Sequence, residues 1–149
     1  MSKEGYLFYS QNFTLTGDHE NHPFRIEVPL QKIEIGGMVI LNNIFFETNK
    51  YDLLPESKTE LQQLIIFLRE NPTISIEIGG HTDNIGEDES NLILSKNRAK
   101  TVYEYLIINK IPLKNLSFKG YGEGQPISDN TTDQGRKNNR RTEFKITNK

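Results

Sequence analysis

Residues 80–86 carry the densest set of side chains that could bind a ligand, in the order Gly-His-Thr-Asp-Asn-Ile-Gly. They lie where a predicted strand ends and a loop leads into a predicted helix, a position at which rigid elements hold outward-facing side chains. Inside that helix, Asn91 and Arg98 are seven residues apart and therefore share the face that points back toward the loop. We expect Asp83, Asn91 and Arg98 to converge on one pocket.

A carboxylate and a guanidinium that converge on one pocket can bind a zwitterion. The guanidinium of Arg98 can hold a carboxylate through two charge-assisted hydrogen bonds, while Asp83 can accept hydrogen bonds from an ammonium group. The alternative is an Asp83–Arg98 salt bridge that only attaches the helix to the loop, because structural ion pairs outnumber ligand clamps. The residue types alone leave both interpretations open.

Catalytic and metal-binding interpretations have less support in the sequence. Asp83 and Glu123 could form a glycosidase-like carboxylate pair, but no catalytic signature surrounds them. His81 and Asp83 lack a third metal ligand nearby, so we expect His81 to be structural. The absence of cysteine excludes thiolate nucleophiles and cysteine-based metal sites. We expect no catalytic residues, no metal and no cofactor.

The charge balance disfavours polyanionic partners. The 149 residues include 18 basic and 20 acidic side chains, for a formal net charge of −2. A basic run at 136–141 contains no interleaved aromatic residues, so we expect no nucleic-acid partner. No stretch approaches the roughly 18 apolar residues of a membrane helix, and the first residues lack the layout of a signal peptide. Two interpretations remain, a cytoplasmic protein or a fragment of a longer exported one.

Hydrophobic periodicity predicts the elements that position the candidate residues. Strands are expected at 38–46 (buried on both faces), 73–79, 116–121 and 142–146, helices at 55–70 and 91–109, and a short helical turn near 133–139. Ser57 and Glu60 have the spacing of a capping box at the start of the first helix. The order β-α-β-α-β-β predicts an α+β sandwich with its helices packed on one face of a mixed sheet.

Residues 1–36 differ from the rest of the chain. Three β-like pieces at 6–9, 13–15 and 24–28 are too short and too few to close a core. We expect a domain boundary at Gly36, with residues 1–36 forming a β-like extension left from an upstream domain and residues 37–149 forming the main domain.

Five ordered motifs in the main domain resemble a known family. They are Ile-Phe-Phe-Glu-Thr-Asn at 44–49, the 80–86 segment, Asn-Leu-Ile-Leu-Ser-Lys-Asn-Arg-Ala at 91–99, Gly-Tyr-Gly-Glu at 120–123 with Pro-Ile at 126–127, and Gly-Arg-Lys-Asn-Asn-Arg-Arg-Thr-Glu-Phe at 135–144. Together they resemble the C-terminal, peptidoglycan-associating domain of the outer membrane protein A family over residues 35–149.

The resemblance implies a non-catalytic domain that binds the diaminopimelate residue of the peptidoglycan stem peptide. By position in the motifs, Asp83 accepts from the diaminopimelate ammonium group and Arg98 holds its carboxylate. Asn49, Asn91 and Arg140 line the same pocket. The free end of diaminopimelate is an amino acid, which agrees with the zwitterion clamp inferred from the residue types.

The resemblance also implies a cellular setting. We expect the chain to be a fragment of an exported protein in the periplasm, with peptidoglycan as its partner and with attachment to the outer membrane through a segment outside this chain. The resemblance leaves open whether the chain forms a homodimer. The alternative function is a cell-wall-acting hydrolase that uses Asp83 and Glu123.

Overall fold

The computed structural model of the protein describes residues 5–8, 29–47 and 50–149. Its elements in chain order are β1 (Met38–Ile40), α1 (Lys58–Glu70), β2 (Ser75–Gly80), α2 (Asp88–Ile108), β3 (Leu116–Gly120), α3 (Asp133–Asn139) and β4 (Thr142–Asn148). Single 3-10 turns precede α1 and β3. No helix in this part of the chain is both long and apolar enough to cross a bilayer.

The four strands form one mixed sheet in the order β1-β4-β2-β3. β2 and β3 are parallel and are joined by the helical crossover α2 that parallel strands need, whereas β4 runs antiparallel to both β1 and β2. The last strand therefore lies in the middle of the sheet, next to the strand that leads into the 80–86 segment. The predicted α+β class and mixed sheet are confirmed.

The helices α1 and α2 cover one face of this sheet. Strand residues alternate between the two faces, and Ile76, Ile78, Phe144 and Ile146 are fully buried on the helical face. The apolar faces of the helices pack against them through Leu61, Leu64, Ile65, Leu68, Ala99, Val102 and Leu106. The predicted packing of the helices on one face of the sheet is confirmed.

Two glycines bring α2 into direct contact with the sheet. A Cβ atom on Gly80 would lie 2.1 Å from the backbone oxygen of Ser95, and a Cβ on Gly120 would lie 2.4 Å from the backbone nitrogen of Lys96. The side chain of Ser95 reinforces the contact by accepting a hydrogen bond from the Gly122 backbone N–H at 2.9 Å. The middle of α2 is therefore fixed against the ends of β2 and β3.

The first strand is shorter and more exposed than the predicted 38–46. β1 is an edge strand with β4 as its one neighbour, and it ends at Ile40 because the chain turns at Asn42 and Asn43. Met38 and Phe45 are 40% and 42% exposed, so the prediction of burial on both faces is wrong. The segment after the turn lies beside α1 and forms part of a cavity wall described below.

The predicted capping box at α1 is also wrong. Ser57 makes no side-chain cap to the helix. Its Oγ instead accepts from the Phe45 backbone N–H at 2.8 Å and donates to the Phe45 carbonyl at 3.2 Å. Glu60 accepts a hydrogen bond from Asn43 Nδ2 at 3.1 Å. Both side chains are buried and hold residues 43–45 against the start of α1.

Part of the predicted N-terminal extension packs on the main domain. Residues 5–8 lie beside residues 31–33, where the Leu7 N–H donates to the Gln31 carbonyl at 2.7 Å. The ring of Phe8 is buried, with its centre 5.9 Å from that of Phe67 and 5.7 Å from that of Phe144. The pieces predicted at 13–15 and 24–28 lie outside the described residues, and the domain boundary stays a prediction.

We expect Gly80→Ala to destabilise the fold by at least about 2 kcal/mol. The new methyl group would overlap the α2 backbone at Ser95, and a helix backbone cannot move without disturbing its whole contact with the sheet. Urea unfolding checks this expectation, with Gly124→Ala in the exposed turn after β3 as the control. Equal stability of the two variants would contradict the close contact.

Candidate functional site

Strand-like hydrogen bonds continue past the end of β2 and position Asp83. The His81 N–H donates to the Arg141 carbonyl at 3.0 Å, and the Thr82 N–H donates to the Gly122 carbonyl at 2.9 Å. Residues 81–83 are buried, whereas residues 84–87 are exposed before α2 begins. Asp83 is therefore the last residue that the sheet holds in place before the loop.

Asn91 shapes the loop that follows Asp83. Its Nδ2 lies 3.3 Å from the Asp83 carbonyl, 3.2 Å from the Ile85 carbonyl and 2.8 Å from Glu123 Oε2. The loop also closes on itself, because the Ile85 N–H donates to Asp83 Oδ1 at 3.1 Å. Asn91 is buried and lines the cavity, but its amide nitrogen is committed to the protein.

Arg98, two turns along α2 from Asn91, holds the loop that follows β1. Its Nε donates to the Lys50 carbonyl at 3.0 Å and its Nη2 to the Glu47 carbonyl at 3.4 Å. The guanidinium carbon also lies 5.1 Å above the centre of the Phe46 ring, within the range of a cation–π contact. These three contacts fix the direction of the guanidinium group.

The charges near Arg98 act on it in opposite directions. Burial lowers the pKa of Arg98 from its ordinary value, the neighbouring positive charge of Arg140 lowers it further, and Asp83 raises it. An arginine remains protonated at physiological pH despite such a shift. The side chain is therefore a partly desolvated cation, which favours the approach of an anionic group.

Asp83 is paired with Arg140. An ion pair joins Asp83 Oδ2 to Arg140 Nη1, and the Arg140 side chain is 47% exposed whereas that of Asp83 is 10% exposed. Among the described ion pairs, Asp83 is joined to Arg140 and not to Arg98, so the alternative of an Asp83–Arg98 salt bridge is wrong. The guanidinium of Arg98 has no carboxylate partner in the part of the chain that the structure describes.

These side chains surround a cavity of about 800 Å³ at the ends of β2 and α3. Its wall contains Asp83, Asn91, Arg98 and Arg140, four of the five predicted site residues. Asn49 lies outside the described residues. The remaining wall residues are Ile40, Leu41, Asn42, Ile44, Phe45, Phe46, Thr82, Ile85, Leu94, Ile127, Arg136, Lys137, Asn138 and Arg141.

Much of this wall could not be found from charge and spacing. Most of its apolar residues come from residues 40–46, where the sequence pattern predicted a buried strand. Ile127 belongs to a motif that carried the family resemblance, and its side chain, 47% exposed, lines the cavity. Lys137 follows Arg136 in the basic run at 136–141. That run, which the sequence analysis weighed as a nucleic-acid patch, was the sequence feature that pointed to basic residues in this wall.

The other face of the sheet holds a buried polar cluster that supports Arg141. His81 is 2% exposed and stacks on Tyr121 with ring centres 5.0 Å apart. Its Nε2 lies 3.1 Å from Glu143 Oε1, and Glu143 Oε2 accepts from Arg141 Nε at 2.9 Å. Gly79 leaves room for this cluster, since its Cβ would meet His81, Tyr121 and Glu143 at 3.2 to 3.3 Å. His81 is structural, as expected.

The cluster contains two shifted acid groups. Burial raises the pKa of Glu143, but hydrogen bonding to His81 and the charges of His81 and Arg141 outweigh burial, so the pKa falls below its ordinary value. A hydrogen bond to Glu77 raises the pKa of Tyr121 to about 12. Both groups therefore keep their usual charge state at neutral pH.

In residues 5–8, 29–47 and 50–149, no group of three or more potential metal ligands is assembled.

Fold and cavity together define a small α+β domain with one carboxylate and several cations around a partly apolar cavity. Residues 45–140 match the model of the OmpA family, and the chain belongs to that family. It is 35% identical to outer membrane porin F of Pseudomonas fluorescens over 104 residues, which is 70% of this chain and 32% of the porin. It is 41% identical over 105 residues to a relative named as lipoprotein YfiB in Escherichia coli (strain K12), covering 70% of this chain and 66% of the relative.

A solved structure supports the same assignment. The crystal structure of the peptidoglycan-associated lipoprotein from Burkholderia pseudomallei superposes with a TM-score of 0.64 at 25% identity, covering 69% of this chain and 87% of that chain. The chain spans about a third of the length of the porin, so the porin's other segments have no counterpart in the matched region.

We expect Ser57→Ala to loosen the cavity wall at Phe45 and to lower the free energy of unfolding by about 1 to 3 kcal/mol. The substitution removes a buried hydroxyl and leaves the partly buried Phe45 N–H without its acceptor, while the Phe45 carbonyl keeps its hydrogen bond from the Leu54 N–H at 3.1 Å. Hydrogen exchange at the Phe45 amide and chemical denaturation measure the two effects. Ser90→Ala, in the exposed first turn of α2, is the control. Unchanged exchange at Phe45 would show that Ser57 does not hold the wall.

We expect Glu143→Gln to make stability less sensitive to acid. The folded state lowers the pKa of Glu143, so its stabilising contribution is present above the ordinary glutamate value of about 4.3 and is lost as the pH falls through the lower folded value. The stability difference between wild type and variant should therefore shrink below about pH 4. Urea unfolding from pH 3 to 7 tests this, with Glu104→Gln on the exposed face of α2 as control. A difference that is constant over this range would contradict the linkage.

Proposed function

We propose that this domain binds peptidoglycan without catalysis, through the diaminopimelate residue of the stem peptide, and thereby anchors an envelope protein to the cell wall. The observation that carries the proposal is that Asp83 and Arg98 line one cavity without being paired to each other. A ligand with an ammonium and a carboxylate group can therefore engage both. Membership of the OmpA family and the likeness to a peptidoglycan-associated lipoprotein favour the same ligand.

The carboxylate of Asp83 retains capacity for an ammonium group. Each carboxylate oxygen can accept two hydrogen bonds, whereas Oδ1 accepts one from Ile85 and Oδ2 accepts one from Arg140 among the described contacts. An ammonium group can therefore bind beside Arg140 and share the carboxylate with it. The backbone hydrogen bond of Thr82 and the hydrogen bond from the Asn91 side chain to the Asp83 carbonyl keep the carboxylate in place for this contact.

Arg98 retains the outer end of its guanidinium group for the ligand. The Nε and one Nη2 hydrogen hold the loop carbonyls of Lys50 and Glu47, which leaves both Nη1 hydrogens and the second Nη2 hydrogen. Nη1 and Nη2 form the end of the fork that binds a carboxylate through two parallel hydrogen bonds. The loop contacts orient the fork before the ligand arrives, which reduces the entropy lost on binding.

Thr82 is part of the same wall. Its hydroxyl is buried and has no hydrogen-bond partner among the described residues. Buried polar groups without a partner are uncommon in folded proteins. The hydroxyl oxygen is inaccessible from the cavity, so the surface that Thr82 offers to a ligand comes from its other atoms.

A hydrolase that uses Asp83 and Glu123 has less support. Glu123 Oε2 accepts from Asn91 at 2.8 Å, and Glu123 is not among the residues that line the cavity. The same Asn91 amide lies 3.3 Å from the Asp83 backbone carbonyl, so Glu123 takes part in holding the loop beside Asp83. A binding role therefore fits the arrangement better than a catalytic one.

The cellular setting belongs to the same proposal. The named relatives are an outer membrane porin and a lipoprotein, which favours a periplasmic position and attachment to the outer membrane through a segment outside this chain. Many copies of the stem peptide on one wall polymer would allow weak individual sites to act together. We infer anchoring rather than transport or catalysis for this domain.

We expect the wild-type chain to sediment with purified peptidoglycan sacculi and both Asp83→Asn and Arg98→Gln to stay largely in the supernatant. Each substitution removes a charge-assisted contact of about 1.5 to 3 kcal/mol, a loss of roughly ten- to a hundredfold in affinity. Soluble diaminopimelate should release the wild-type chain from the sacculi.

The matched controls are Asp88→Asn at the start of α2 and Lys100→Gln on its exposed face, both outside the cavity. Both should sediment as the wild type does. The proposal is wrong if the wild type remains soluble or if the site variants sediment as well as the controls. Release of soluble sugar or peptide fragments from the sacculi would favour the hydrolase instead.

A further inference from the structure

The cavity carries more positive charge than a zwitterion can balance. Its wall holds a single carboxylate, that of Asp83, together with five basic side chains: Arg98, Arg136, Lys137, Arg140 and Arg141. Three of the five have carboxylate partners within the protein. Arg136 pairs with Asp133, Arg140 with Asp83, and Arg141 with Glu143.

Arg98 and Lys137 remain without a carboxylate partner in the described part of the chain. They come from different elements, Arg98 from α2 and Lys137 from α3, and one ligand carboxylate balances the charge of only one of them, which leaves one cation of the wall in excess. Binding an ammonium group at Asp83 adds to this imbalance, because Arg140 must then share its partner. The side of the cavity formed by α3 stays positive when the zwitterion is bound.

We propose that the α3 side of the cavity, through Lys137, binds a second carboxylate of the stem peptide, so that the site recognises an acidic peptide rather than diaminopimelate alone. This inference rests on the proposed function. A stem peptide carries free carboxylates beside its diaminopimelate residue, at the γ-linked glutamate and at the C-terminus. The cavity volume of about 800 Å³ is in the range of sites that hold ligands larger than one amino-acid group.

Lysine suits a carboxylate whose position varies within a flexible peptide. Its ammonium group is a compact charge with rotatable donors on a flexible stem, whereas an arginine fork demands one planar geometry. Lys137 is exposed, so solvent screens the pair, and such pairs contribute little individually. We expect a preference of about two- to fivefold for the acidic peptide, which corresponds to the range measured for exposed ion pairs.

The test compares one tetrapeptide stem with free carboxylates and the same peptide with its glutamate and C-terminal carboxylates amidated. The free end of diaminopimelate is kept unmodified in both. Isothermal titration of the full 149-residue chain measures both affinities for wild type, Lys137→Gln and the control Lys114→Gln, whose lysine is exposed and outside the cavity. The wild type and Lys114→Gln should prefer the acidic peptide about two- to fivefold, and Lys137→Gln should bind both peptides equally.

The salt dependence gives a second readout. Added salt should weaken the preference of the wild type and leave the affinities of Lys137→Gln for the two peptides equal. Equal binding of both peptides by the wild type, or a full preference in Lys137→Gln, would overturn the inference and leave the proposed function standing. If the wild type binds neither peptide, the inference and the proposed function both fail.

Discussion

The site depends on the direct contact between α2 and the ends of β2 and β3. Gly80 and Gly120 allow the backbone of α2 to approach the sheet at Ser95 and Lys96, at distances that no side chain would permit. This contact fixes the helix that carries Asn91 and Arg98 relative to the strand that leads to Asp83. A displacement of α2 would therefore move both partners of the proposed clamp, although neither glycine touches the cavity.

Two further sets of contacts hold the walls of the cavity. Ser57 and Glu60 attach residues 43–45 to α1. Arg98 attaches Glu47 and Lys50 to α2, so hydrogen bonds hold the apolar wall segment to both helices. Behind the sheet, His81 and Glu143 hold Arg141, and burial of this cluster makes its hydrogen bonds depend on one another. The cavity is thus built from rigid elements, as the proposed recognition of a small zwitterion requires.

Local patterns predicted the helices and the central strands, because the 3.6-residue and two-residue periods of their apolar residues are properties of the sequence itself. The extent of β1 depends on β4, about a hundred residues later, and the sequence pattern contains no sign of that pairing. The capping-box prediction failed for the same reason, since Ser57 and Glu60 have partners in the preceding loop. Spacing predicted that Asp83 and Arg98 line one cavity. It could not predict the ion pair of Asp83 with Arg140, because these residues are 57 positions apart in sequence and only the fold brings them together. Family motifs supplied Arg140, and no motif pointed to Lys137 as a separate contact.

The central claim is that the cavity between Asp83 and Arg98 receives the free end of diaminopimelate. NMR titration of the isotope-labelled chain with meso-diaminopimelate tests it most directly, because backbone amides and arginine Nε–H groups report each position separately. We expect saturable shifts at Thr82, Asp83 and the Nε–H of Arg98 and Arg140, with little change at Glu77 and Lys145 behind the sheet. Shifts confined to the residues behind the sheet, or no saturable shift at Arg98, would contradict it.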